Sequence, residues 1–133
     1  MPLGNMGLQG QPQLPYTDVR SYAGSDVFID LSFLDHTATP VVPTALWYQI
    51  DDLTNAQNMV PQTQVTAGLA AQMTLQIPGS VMQMSYPYQG SQICQISYWF
   101  SAIDSVTLAS FNATKVDVVE LVAIMTPTNT PFP

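Results

Sequence analysis

A two-residue alternation of apolar and polar side chains, cut at short intervals by proline and glycine, constrains this chain more than any other feature. Asp26 to Leu34 places Val27, Ile29, Leu31 and Phe33 on one face of an extended backbone, which is the period of a half-buried strand. Gln72 to Ile77 turns Met73, Leu75 and Ile77 one way and Gln72, Thr74 and Gln76 the other. Ala45 to Ile50 groups Leu46, Tyr48 and Ile50, with Trp47 opposite. Gln92 to Phe100 sets Cys94, Ile96, Tyr98 and Phe100 against Ile93, Gln95, Ser97 and Trp99. Val106 to Leu108 and the valine-rich Lys115 to Met125 complete the runs. Turn formers separate them: Thr39-Pro40, Pro43, Thr54-Asn55, Pro61, Ala67-Gly68, Pro78-Gly79, Pro87, Gly90 and Asn112. Eleven prolines leave no room for a long helix. Short strands with regular turns predict an all-β sandwich or barrel.

The two ends read differently. Residues 1–23 are rich in Gly, Pro and Gln and carry neither period, so they are expected to form an extended N-terminal arm. Spaced apolar residues within it, Leu3, Met6, Leu8, Leu14 and Tyr16, are more than a linker needs. Residues 126–133 form a short proline-broken C-terminal tail with Phe132 near its tip. The expected β-sandwich domain is therefore 24–125, and the named arm and tail residues are the candidate subunit contacts. Removing residues 1–22 is expected to leave the sandwich folded.

A length of 133 residues suits one domain with a core that needs no disulfide. Only 8% of residues are charged, against roughly a quarter in an average soluble domain. Yet 47% are hydrophobic, the reverse of a disordered composition. Arg20 and Lys115 are the only Lys or Arg residues, against nine acids. Phosphate neutralisation needs clustered cations, so nucleic acid is not an expected partner. An anionic membrane surface fails for the same reason, and no apolar run approaches the ~18 residues that suggest a membrane span. The N-terminus lacks the pattern of a signal peptide, so synthesis in a cytoplasm is expected. A surface poor in Lys and Glu resembles a protein interface.

Catalytic and metal chemistry find little to use. Cys94 is alone in an apolar run and reads as a small buried hydrophobe. A hydrolytic triad would need His36, but no Gly-x-Ser-x-Gly elbow exists, and Pro78-Gly-Ser-Val81 lacks the second glycine. One His and one Cys are too few for zinc. Asp51, Asp52, Asn55 and Asn58 group oxygen atoms, but not at the spacing of a calcium loop. Carboxylate pairs for glycoside chemistry could be drawn from Asp30, Asp35, Asp51, Asp52, Asp104, Asp117 or Glu120, and spacing selects none of them. No catalytic residue, metal or cofactor is expected. Asn112-Ala113-Thr114 matches a glycosylation sequon and reads as a chance match. A sugar-binding surface would use Trp47, Trp99 and the Tyr86-Pro87-Tyr88 tract, although sandwich aromatics more often pack in the core or at its rim.

One stretch carries a resemblance. Pro43-Thr-Ala-Leu-Trp-Tyr-Gln-Ile-Asp-Asp-Leu-Thr54, followed by Met73-Thr-Leu-Gln-Ile-Pro78, is similar to a pattern in small immunoglobulin-like domains of tailed-phage virions. The resemblance extends over residues 24–125, with about a dozen sharp positions in the motifs themselves. It departs at the nearly uncharged Gln92 to Met125, where those relatives carry a charged hairpin. It implies an immunoglobulin-like antiparallel β-sandwich with a core strand over Leu46–Asp51 carrying a buried aromatic, and leaves Trp47 and Tyr48 both open for that role.

The function implied is a non-enzymatic structural protein of the virion, assembled in the host cytoplasm. A capsid decoration or cement protein would bridge major capsid subunits through its sandwich and arm, with copies of itself as further partners. A neck, tail or fibre component is the alternative within the particle, and copy number separates the two. A carbohydrate-binding host-attachment module is the alternative of a different class. The methionines, Met82 and Met84 among them, would supply adaptable apolar contact.

Overall fold

A computed structural model describes residues 19–86 and 90–123. Among them the chain is all-β, with seven strands and no helix. These are β1 (Val19–Tyr22), β2 (Val27–Ser32), β3 (Ala45–Asp52), β4 (Gln57–Val65), β5 (Gln72–Ile77), β6 (Ser91–Ile103) and β7 (Ser110–Val122). They form a five-stranded sheet of order β1-β7-β6-β3-β4 and a two-stranded sheet of β2 and β5. All pairings are antiparallel except β1 with β7.

One core lies between the two layers. Val27, Ile29 and Leu31 from β2 and Leu75 and Ile77 from β5 meet Leu46 and Ile50 from β3, Cys94, Ile96 and Tyr98 from β6, and Val119 and Leu121 from β7. Alternation dictates these contacts, because every second side chain of a strand faces the opposite layer. Burying each large aliphatic chain contributes about 1.5–3 kcal/mol. Phe33, just past β2, meets Phe100 of β6 edge-on at 4.9 Å, and Phe100 meets Phe111 of β7 at 6.1 Å. This aromatic chain joins the layers at one end. On β3, Tyr48 packs against the core while Trp47 faces outward, so Tyr48 takes the inward aromatic place.

Several expectations need correction. Val19–Tyr22, placed in the arm, forms β1 and pairs in parallel with Val119–Val122. Four residues in a Gly- and Pro-rich lead show no period, and only the partner strand defines them. Gln57–Val65 was not expected as a strand, and Pro61 was expected in a turn. Pro61 sits within β4, at the edge of the sheet, where a missing N–H costs no ladder bond. The ladder pairs Tyr48 with Thr63 and then Ile50 with Val60, so Pro61 and Gln62 lie opposite Gln49 in a bulge. Val106–Leu108 is not a strand but part of the loop closing the β6–β7 hairpin. Asn112, expected in a turn, lies in β7 opposite Ser101.

Gly79 explains the Pro-Gly pair after β5. A Cβ there would stand 2.1 Å from the carbonyl oxygen of Gly24, so only glycine lets the two loops touch. Its N–H donates to Asp26 Oδ1 at 2.7 Å. That bond, with one from Gln76, holds the Asp26 carboxyl below its ordinary value.

Candidate binding surfaces

Two loops meet at the end of the molecule beyond Phe33. One joins β2 to β3, and the other joins β6 to β7. The Asp35 carboxylate fastens them. Its Oδ1 accepts the N–H groups of Thr37 (2.9 Å) and Thr39 (3.0 Å) and the Thr37 hydroxyl (2.6 Å). Its Oδ2 crosses to the second loop and accepts the N–H of Ser105 (2.9 Å) and its hydroxyl (2.5 Å). Asp104 returns the tie, accepting from His36 Nδ1 at 2.5 Å and from the N–H groups of Val106 (3.1 Å) and Thr107 (2.8 Å). Both carboxylates are buried. Bonds from the Ser105 and Thr37 side chains hold the Asp35 carboxyl far below the usual range. The N–H of Thr107, with His36 and Val106, holds Asp104 below its own.

This arrangement is a clamp. The Ser105 hydroxyl donates its hydrogen bond to Asp35, while His36, the chain's single histidine, bonds Asp104. A serine nucleophile needs its hydroxyl on the imidazole instead.

Around the clamp the loops turn apolar side chains outward. Leu34 and Val42 on the first loop are exposed, as is Ile103 at the end of β6, and on the second loop Val106 is 65% and Leu108 73% exposed. Leu108 also takes a left-handed backbone, φ 62°, which disfavours a large side chain. Its N–H bonds the Asp104 carbonyl at 2.9 Å, so the loop enforces that conformation.

A second surface is the outer face of the five-stranded sheet. The β3–β6 register pairs Trp47 with Trp99, and the β6–β7 register pairs Trp99 with Thr114 and Ser101 with Asn112. With Gln62 from β4, these side chains line a groove of about 500 Å³. The Ser101 hydroxyl donates to Asn112 Oδ1 at 2.6 Å, which orients that amide. Both tryptophans are half-buried. Spacing set Trp47 opposite Leu46, Tyr48 and Ile50, and Trp99 opposite Cys94, Ile96, Tyr98 and Phe100, leaving open which aromatic of β3 is buried. No signal in the sequence places the two tryptophans against one another, because register is a property of the pair of strands.

The other expected site residues fall apart or inward. Leu3, Met6, Leu8, Leu14, Tyr16 and Phe132 lie outside the described residues, as does Tyr88. Met82 is fully buried and Met84 packs against the core, so neither offers an open contact. Asp52 is buried and accepts from Asn55 and from the Ser85 hydroxyl, whereas Asp51 accepts from Gln49 and Asn58. Their carboxylates serve different contacts, and among the described residues no group of three or more His, Cys, Asp or Glu could hold a metal. Burial pushes the Cys94 thiol up to about 11. Gln92, in phase with Cys94 and Ile96 on β6 but polar, is fully buried and accepts the Ser85 N–H at 2.7 Å. Arg20 pairs with Glu120 across β1 and β7 at 2.9 Å, in an exposed contact worth at most about 1 kcal/mol. No helix of the described residues is long and apolar enough to cross a membrane.

No protein-family model matches the chain, and neither does a curated protein or a solved structure.

Proposed function

We propose that this chain is an immunoglobulin-like, non-enzymatic structural protein of a tailed-phage virion, most simply a decoration or cement protein seated on major capsid subunits. The observation that carries the docking part of this reading is the clamped loop end. Leu34, Val42, Val106 and Leu108 on the loops, and Ile103 at the end of β6, are held outward around polar groups already occupied by one another. Exposed apolar groups on ordered loops mark a surface that another protein covers.

The strand order supports the immunoglobulin-like part. A β2–β5 sheet facing a β7-β6-β3-β4 sheet corresponds to strands B and E facing G, F, C and C′, with β1 beside G. The phage part rests on the resemblance of the Pro43–Thr54 and Met73–Pro78 segments. The clamp favours a shell or joining role over catalysis, since it spends His36, Asp35, Asp104 and Ser105 on fixing loops.

Quantitative mass spectrometry of purified particles tests the proposal. A copy number matching the capsid shell fits a decoration protein, and a much smaller fixed number moves it to the neck or tail. Absence from particles overturns the virion reading altogether. Deleting residues 1–18, which spares β1, is expected to leave the sandwich folded and to lower occupancy on the particle.

A further inference from the structure

The groove on the outer face of the five-stranded sheet lies on different elements from the loop end and has different chemistry. We propose that it is a binding site for a neutral glycan, a ligand independent of any capsid contact.

Three features select this ligand class. Trp47 and Trp99 occupy paired positions on adjacent strands, so two indoles stand side by side on one rigid surface. A pyranose ring presents a face of C–H groups to such rings and a rim of hydroxyls to its surroundings. The rest of the lining supplies what that rim needs: the amides of Gln62 and Asn112 and the hydroxyls of Ser101 and Thr114 both donate and accept. The Ser101 hydroxyl already holds Asn112 Oδ1 at 2.6 Å, which leaves the amide NH₂ as the donor toward the groove.

Charge narrows the choice. No Asp, Glu, Lys or Arg lines the groove, in a protein with net charge −7. An acidic saccharide would find no cation there and would meet the repulsion of the whole molecule. A cationic ligand would find no carboxylate. A volume of about 500 Å³ lies within the ~300–1,000 Å³ of small-ligand sites. The competing account is that the two tryptophans only brace β3 against β6, as cross-strand aromatic pairs do. That account predicts no ligand.

The experiment titrates the full chain with neutral oligosaccharides of glucose, galactose, mannose and N-acetylglucosamine, reading calorimetry and tryptophan fluorescence. Oligouronates serve as the anionic comparison. Saturable binding of at least one neutral sugar, with a fluorescence change, is expected. Trp47→Ala and Trp99→Ala should each weaken it by roughly tenfold or more, as removal of a central aromatic anchor does. Because either truncation could disturb the sheet, Gln62→Ala and Thr114→Ala are measured alongside and should weaken binding severalfold with an unchanged circular-dichroism spectrum. Phe28→Ser, on the outer face of the other sheet, should leave binding as it was. The proposal is overturned if no neutral sugar binds, if all four groove variants bind like the parent, or if oligouronates bind more tightly. None of these readings depends on particles, so glycan binding and virion incorporation can fail separately.

Discussion

The two ends of the sandwich use the same device and leave different amounts of apolar surface around it. At one end Asp52, buried at the end of β3, accepts from Asn55 and Ser85, and the neighbouring segment folds Met82 fully into the core while Gly79 brings its loop against Gly24. At the other end Asp35 and Asp104 fasten two loops just as firmly, yet Val106 and Leu108 are left in water. Both ends satisfy their backbone with buried carboxylates. The difference is one of degree: at the first, closed end Met82 is fully buried while Leu53, Tyr86 and Tyr22 are 41%, 47% and 59% exposed, whereas at the second, open end Val106 and Leu108 reach 65% and 73%. That greater exposure, on loops tied together by two buried carboxylates, is the basis for proposing the docking face there.

The comparison breaks first at the closed end. Gly79→Ala forces a methyl group onto the Gly24 carbonyl and should lower stability by about 3 kcal/mol, read as a shift in the denaturant midpoint. A near-neutral result would mean the two loops are not held in contact. At the open end the reverse change, a side chain removed to leave glycine, should raise stability. Leu108→Gly relieves a left-handed backbone and exposes less apolar surface, so a gain of about 1 kcal/mol is expected. A loss would show that the leucine packs against its own loop.

Acid should loosen the clamp before it loosens the core, a smaller effect. The folded carboxyls of Asp35 and Asp104 are held below their unfolded value of 3.8. Their contribution is therefore complete above about pH 4 and is lost as pH falls through the folded values. Amide exchange at Thr37, Thr39, Val106 and Thr107, corrected for the intrinsic pH dependence, should lose protection below about pH 4 before the core strands do. Uniform loss of protection along the chain would contradict a local clamp.

How much of this was legible in the sequence depended on period. β2, β5 and β6 announce their inward faces, and the residues read inward from each meet in the core, with Met73 at its margin. β4 did not, because Gln57 to Val65 is interrupted by Pro61 and a bulge that destroys alternation. β1 did not either, since its parallel pairing to β7 leaves no mark on four residues. Val106 to Leu108 read as a strand because its two apolar residues alternate, but the Asp104 carboxylate captures the N–H groups of Val106 and Thr107 and closes a turn. The clamp itself joins residues 70 positions apart, and the tryptophan pair depends on register. Neither relation exists until the sheets form.

The central claim is that the open loop end is covered by another protein of a particle. The direct measurement is occupancy on particles assembled with a Leu34→Ser, Val106→Ser, Leu108→Ser variant, with Phe28→Ser as comparison. Surface changes of this kind cost within about 0.5 kcal/mol each, so both proteins should fold. The account predicts that the triple variant is lost from particles while Phe28→Ser is retained at parental copy number. Equal occupancy of the two would contradict it.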